Sequence, residues 1–293
     1  MYKPNHKALA DRTAELYRRN RGKATAAIFI VIAVTALLNV AFYAMGALDI
    51  PDLTAASASA STQSPAVSFL SGLASLLVSA PLTLGMFALF SHMARGEEVR
   101  LSSMFDWISD LRLLFRAVGA EMWLSLLYAG WAMLCMLPGV AAAYLLSGFS
   151  ASLALYTGYA LLFLGLVYAL GRVLSLMPAL FYLSEQRTCG VFAAFDRART
   201  VLSKLRWQYV RFLLRYLLAL IGGVLASALL LSVLMLSVPA LTGELLFFIE
   251  YLFVLTVIVL LLPRLVLGMI VYWQDAEDAF SGKNPPTPEV YGL

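Results

Sequence analysis

Arg172 and Arg264 are the residues whose surroundings ask for chemistry. Each stands inside an apolar run long enough to cross a bilayer as a helix. Counted along the run at 1.5 Å per residue, Arg172 is ~18 Å and Arg264 ~15 Å from the charged end. A charged side chain at such depth costs about 2.5–3.5 kcal/mol on insertion scales, so it turns toward protein or a wet cavity. Two uses fit a guanidinium there. It can hold an anion or a lipid headgroup, or it can clamp kinked helices together.

Acidic partners are few. Glu121, in the third apolar run, is the candidate partner of Arg172. Glu250 shares a run with Arg264, but ~21 Å of helix separates them, so they mark one polar stripe and not a pair. Gly158, Gly165 and Arg172 recur at intervals of seven, which places small residues and the arginine on one helix face. Glu250, Val257 and Arg264 recur likewise, with Gly268 one turn on. Pro81, Pro138, Pro178 and Pro263 are the expected helix kinks. A proline inside a helix frees the carbonyl four residues back. Pro178 would free that of Leu174, and Pro263 that of Val259, each close to an arginine.

Catalytic signals are weak. His6, His92, Cys135 and Cys189 lack metal-ligand spacing, and the chain contains no nucleophile elbow, phosphate loop or zinc-protease motif. The reading is a protein that is not an enzyme, with no cofactor and no metal.

The elements that must carry these residues follow from composition. Of 293 residues, 61% are hydrophobic and 13% charged, with mean hydropathy +0.83. A soluble domain has roughly 45–50% apolar and about 25% charged residues. Six spans emerge, at about Ala24–Leu48, Ala66–Ala94, Ala117–Leu146, Ala151–Ser184, Tyr216–Pro239 and Leu245–Gln274. Backbone groups in lipid must be satisfied internally, so these are helices.

Among the 21 Lys and Arg residues, all but Arg172 and Arg264 fall before span one, between spans two and three, between spans four and five, or in the tail. The alternate loops hold Asp49 and Asp52, no charge, and Glu244. Positive charge marks the cytoplasmic side, so the chain is expected in the bacterial cytoplasmic membrane with both termini cytoplasmic. The net charge of +4 and pI near 9.1 are thus a topological signal and not one for nucleic acid. Thr54–Pro65 is expected to be an external loop.

A three-fold repeat is visible over about 7–94, 101–185 and 190–274, all within one six-span domain, 1–275, followed by a short cytoplasmic tail, 276–293. Each unit is a basic amphipathic segment, an outward span and an inward span with a proline. Phe105-Asp106 aligns with Phe195-Asp196, and Leu84-Gly85-Met86 with Leu267-Gly268-Met269. In the basic segments Leu9, Thr13, Leu16 and Tyr17 share a helical face. Leu101, Met104, Phe105, Ile108, Leu111 and Phe115 share another, and Phe192, Phe195, Leu202 and Leu205 a third. Ser103-x-x-Asp106 has the form of a capping box. The segments fit interfacial helices among anionic headgroups; the alternative is elbows that pack on the bundle. Arg18, Arg19, Arg112, Arg197, Lys204 and Arg206 are the candidate headgroup contacts.

The expected fold class is therefore all-α: a polytopic membrane bundle of six helices in three hairpins, with interfacial amphipathic helices. It would be a non-enzymatic protein that interacts with lipids or organises membrane partners, with a homo-oligomer as one possible state. The alternative is a small transporter or channel with an anionic path past Arg172 and Arg264.

The string from Trp131 to Pro138-Gly139, followed by Tyr144, resembles the signature of a bacterial integral-membrane family catalogued as domain of unknown function 975. Ala194-Phe-Asp-Arg-Ala-Arg and Lys204-Leu-Arg-Trp-Gln208 are similar to its basic segment before span five. The chain departs from that family in lacking a small hydroxyl residue near position 198 and a Trp within span five. It is distantly similar to the membrane domains of some glycerophosphodiester phosphodiesterases. The resemblance implies a membrane fold and, weakly, lipid-related work.

Overall fold

The computed structural model describes residues 4–44, 65–148, 150–237 and 243–282. Asp49, Asp52, the expected external loop except its last residue, and the tail beyond 282 lie outside them. All regular structure among the described residues is helical. The helices are α1 (His6–Ala44), α2 (Pro65–Ala94), α3 (Asp106–Ser109), α4 (Leu111–Ser147), α5 (Ala151–Leu174), α6 (Pro178–Glu185), α7 (Val191–Leu202), α8 (Arg206–Ser237) and α9 (Gly243–Phe280), with a 3-10 turn at Leu101–Phe105. Among the described residues, six helical stretches are long and apolar enough to cross a membrane.

Local chemistry sets the breaks. Asn20 leaves the helical region at φ −113°, ψ 17° and divides α1 into a basic leg and an apolar leg. Its amide donates back to the Leu16 carbonyl at 3.2 Å. The fourth expected span is divided. α5 ends at Leu174, and Pro178 opens α6 at its first turn, where a missing N–H costs nothing. Pro81, Pro138 and Pro263, by contrast, lie inside continuous helices.

Burial is concentrated at one end of the bundle. In α2 it becomes nearly continuous from Ala80 on, α6 is buried through most of its length, and in α9 it becomes nearly continuous from Pro263 on. These join the basic leg of α1, α7, and the first turns of α4 and α8 in a single core. Phe87 meets Phe181 edge to face at 4.9 Å between ring centres, a geometry worth ~0.5–1.5 kcal/mol beyond burial. Toward the other end, large apolar side chains are exposed: Leu37, Met133, Tyr144, Tyr156, Phe163, Leu229 and Tyr251 are each more than half exposed. We call the two ends charged and apolar. Pro81, Pro178 and Pro263 mark the passage from exposed to buried on all three inward helices.

The basic segments fold unequally. Leu9, Thr13, Leu16 and Tyr17 are all buried, as their spacing requires. The second face does not form. A 3-10 turn, the single turn α3 and the start of α4 replace one helix, so Phe105, Ile108, Leu111 and Phe115 are exposed while Met104 and Trp107 are buried. No capping box forms at Ser103, whose hydroxyl donates to the Arg100 carbonyl. The working cap is Asp110, whose carboxylate accepts the Arg112 N–H at 2.8 Å and starts α4. In the third segment Phe195, Leu202 and Leu205 are buried, and Phe192 is exposed but stacks on Trp123 at 5.0 Å.

Small residues set the seam between α4 and α5. A Cβ at Gly158 would lie 2.9 Å from that of Ala143, and one at Gly139 would lie 2.6 Å from the Leu162 side chain. One at Gly165 would overlap the Cys135 carbonyl. Gly158 and Gly165 thus do share the face that their spacing assigns them, and that face meets α4.

Candidate functional site at the charged end

Arg172 extends that same face. Its Nε donates to the Tyr168 hydroxyl at 3.0 Å, and its guanidinium lies 4.6 Å from the centre of the Trp131 ring. The expected partner was Glu121, but Glu121 sits about 15 Å back along α4 from Trp131, at 1.5 Å per residue. An aromatic face takes the place of a carboxylate. The freed Leu174 carbonyl is not used by the arginine either. The Ser175 hydroxyl donates to the Arg172 carbonyl at 2.6 Å, and α5 ends there. Arg172→Gln removes a cation–π contact worth ~0.5–2 kcal/mol. Thermal melts of the detergent-solubilised protein are expected to fall by a few degrees, with Arg172→Lys intermediate; an unchanged Arg172→Gln melt would remove this contact from the account.

Arg264 lies elsewhere. It is exposed, and its guanidinium stands 4.7 Å from the centre of the Tyr17 ring. The Tyr17 hydroxyl reaches the Leu260 carbonyl on α9 at 3.3 Å. Arg264 is therefore level with the basic leg of α1, at the seam between the charged and apolar ends. Residues 265–273, which follow it on α9, are buried in the core. Beside this seam α1 and α9 leave an open groove of about 490 Å³, lined by Arg21, Thr25, Ala26 and Phe29 on one side and Val259 and Leu260 on the other.

Glu121 is half-buried, with Oε2 enclosed and without a hydrogen-bond partner. Glu250 is in α9, and its side chain lies outside the described residues. Among the described side chains, Arg172, Arg264 and Glu121 are not brought together. His92 contacts Glu97 at 2.5 Å, and no cluster of three metal-ligating side chains occurs among the described residues.

Several basic residues are occupied within the chain. Arg12 donates to the carbonyl of Ala94, the last residue of α2, at 3.0 Å. Arg116 donates to the carbonyls of Gln186, at 2.9 Å, and Arg187, just past α6. Arg197 donates to Glu277 at 2.6 Å and to Ser281 at 3.1 Å, at the end of α9. Cations at helix C-termini satisfy carbonyls that have no helical partner. Arg197 was expected to contact headgroups, but it is largely taken up by Glu277, and this hydrogen bond raises its pKa above the ordinary value. Arg18, Arg19, Arg112 and Lys204 are exposed, and Arg206 is half-exposed beside the Trp207 ring.

Sequence reasoning missed the node at Glu185. Its two oxygens take Arg95 at 2.5 Å and the Gln274 amide at 2.9 Å, and the amide also reaches the Ser91 carbonyl at 3.2 Å. This ties α2, α6 and α9 at one level. A buried glutamine near the end of an apolar run was the available signal.

Six long apolar helices over a core at one end define the class: a multi-pass helical membrane protein. No family model, curated protein or solved structure matches the chain.

Proposed function

We propose that this chain is a non-enzymatic protein of the bacterial cytoplasmic membrane that engages anionic phospholipids through its charged end, with both termini cytoplasmic. One observation carries this reading. After the internal contacts are assigned, Arg18, Arg19, Arg112 and Lys204 remain exposed at the charged end, with exposed Leu111, Phe115 and Trp207 on the same segments. Exposed cations beside exposed apolar side chains suit a surface lying among headgroups.

The three-hairpin organisation belongs to the same proposal. Arg12, Arg116 and Arg197 each come from the basic part of one unit, and each binds the end of that unit's inward helix. Pro81, Pro178 and Pro263 fall where each inward helix becomes buried. The repeated strings are less equivalent: Phe105 is exposed and Phe195 buried. The resemblance to the family catalogued as domain of unknown function 975 rests on the sequence strings alone and is part of the same proposal. The exposed apolar halves of α4 and α5 could be covered by lipid or by a second copy of the chain.

Transport is the less supported alternative. Arg172 sits on the α4–α5 pair and Arg264 on the α1–α9 pair, and the groove is lined by neither.

Juxtamembrane cations gain ~1 kcal/mol each at an anionic surface. The protein in phosphatidylglycerol vesicles is therefore expected to melt several degrees above the same protein in phosphatidylcholine. Changing Arg18, Arg19, Arg112 and Lys204 together to Gln should abolish most of that difference. Equal melts of the native protein in the two lipids would overturn the proposal.

A further inference from the structure

We infer that the groove between α1 and α9 is a site for one anionic phospholipid, its phosphate held by Arg21 and the Thr25 hydroxyl. The inference rests on the lipid reading above and names the lipid's seat. Three observations carry it.

The first is an orphaned hydroxyl. A threonine inside a helix ordinarily turns its hydroxyl back to the carbonyl four residues earlier. Thr13, Thr35, Thr83 and Thr256 do so, at 2.7 or 2.8 Å. Thr25 does not. Its Oγ1 is enclosed and unpartnered, and the residue lines the groove. Leaving an enclosed hydroxyl without a partner is unfavourable, and a phosphate oxygen would accept a hydrogen bond from it.

The second is charge at the groove's mouth. Arg21 lines it, one turn after Tyr17. The Arg264 guanidinium lies over the Tyr17 ring, one turn along α9 from the lining residue Leu260. Arg21 thus supplies the guanidinium at the charged end of the groove, Arg264 adds positive charge one turn beyond its wall, and no carboxylate lines it. Arginine suits phosphate by its forked donors.

The third is the gradient along the groove. Beyond Arg21 and Thr25 the walls are Ala26, Phe29 and Val259, and α1 continues into exposed apolar surface at Leu37 and Val40. A free phosphate would satisfy the first two features and leave this wall bare. A phospholipid satisfies all three, with the headgroup at Arg21 and Thr25 and the chains along α1. The volume of about 490 Å³ is ordinary for a small-molecule site, and it suits the headgroup region while the chains run outside. The bend at Asn20, immediately before Arg21, separates the two legs of α1 where the groove begins.

The test is native mass spectrometry of the full chain in detergent, titrated with phosphatidylglycerol, phosphatidylcholine or inorganic phosphate. The native protein is expected to retain one phosphatidylglycerol at least tenfold more tightly than phosphatidylcholine, with no retained phosphate. Arg21→Gln, Thr25→Val and the groove-filling Ala26→Trp should each weaken that first lipid by roughly tenfold, the loss expected for one charge-assisted contact. Leu229→Trp, on an exposed face of α8, should leave it unchanged. Thr25→Val preserves shape, so it stays informative if Ala26→Trp fails to fold. A preference for phosphatidylglycerol that survives all three groove changes overturns this seat and leaves the broader lipid reading intact. No preference in the native protein overturns both, and retention of inorganic phosphate alone assigns the site to a soluble anion.

Discussion

Phe181→Ala is expected to cost about 3–5 kcal/mol, the range for emptying a buried aromatic site. Phe163→Ala, on the helix just before, should stay within ~0.5 kcal/mol, as surface changes do. Both positions lie in the stretch that reads as one apolar span. Phe181 is fully buried on α6 and meets the edge of Phe87 from α2. Its ring also belongs to the core shared by α2, α6 and α9. Phe163 is 66% exposed on α5, where detergent or lipid covers it equally well in native and variant protein. Thermal unfolding in one detergent should therefore show a drop on the order of 10 °C for the first change and almost none for the second. Equal drops would mean that the apolar halves are packed as tightly as the charged end.

That contrast also shows where the sequence stopped being informative. The number of spans is legible because run length and the absence of charge depend only on the bilayer. Which half of a span packs against protein is not legible, because an apolar side chain is satisfied by lipid or by protein. Leu265–Val271 reads like membrane and is core. The three prolines stood at the boundary in plain view, but a proline reports a backbone constraint and not what lies beside it. Arg172 was missed differently. Its partner was sought among carboxylates and the carbonyls freed by proline, while Trp131 offered its ring face. The heptad of Gly158, Gly165 and Arg172 did specify the right face, since close helix approach needs small residues whatever surrounds the pair. The 3-10 turn at Leu101–Phe105 was hidden because its apolar spacing also fits a helix, and only the Asp110 cap reveals where α4 starts.

The same limit separates two glycines that sit in identical tripeptides. Gly85→Ala is expected to destabilise by about 1–3 kcal/mol, the usual cost of overpacking. A Cβ there would overlap the Met104 carbonyl, which belongs to backbone and cannot rotate away. The 3-10 turn would have to lift from α2 and take Trp107, which is fully buried, with it. Gly268→Ala, in the matching Leu-Gly-Met, should cost less, because its Cβ would meet the Tyr216 ring at 3.2 Å and a ring can tilt. Gly119→Ala reverses the sign. Nothing lies within 4 Å of its Cβ position inside α4, and alanine is favoured over glycine in a helix by ~1 kcal/mol. Melting temperatures in one detergent should thus rank Gly119→Ala above the native protein, Gly268→Ala slightly below it and Gly85→Ala lowest. A Gly85→Ala protein as stable as Gly119→Ala would show that the turn does not rest on α2. The order follows from what each glycine faces, since the two repeated tripeptides offer the helix the same residues and differ only in the element that the fold lays across them.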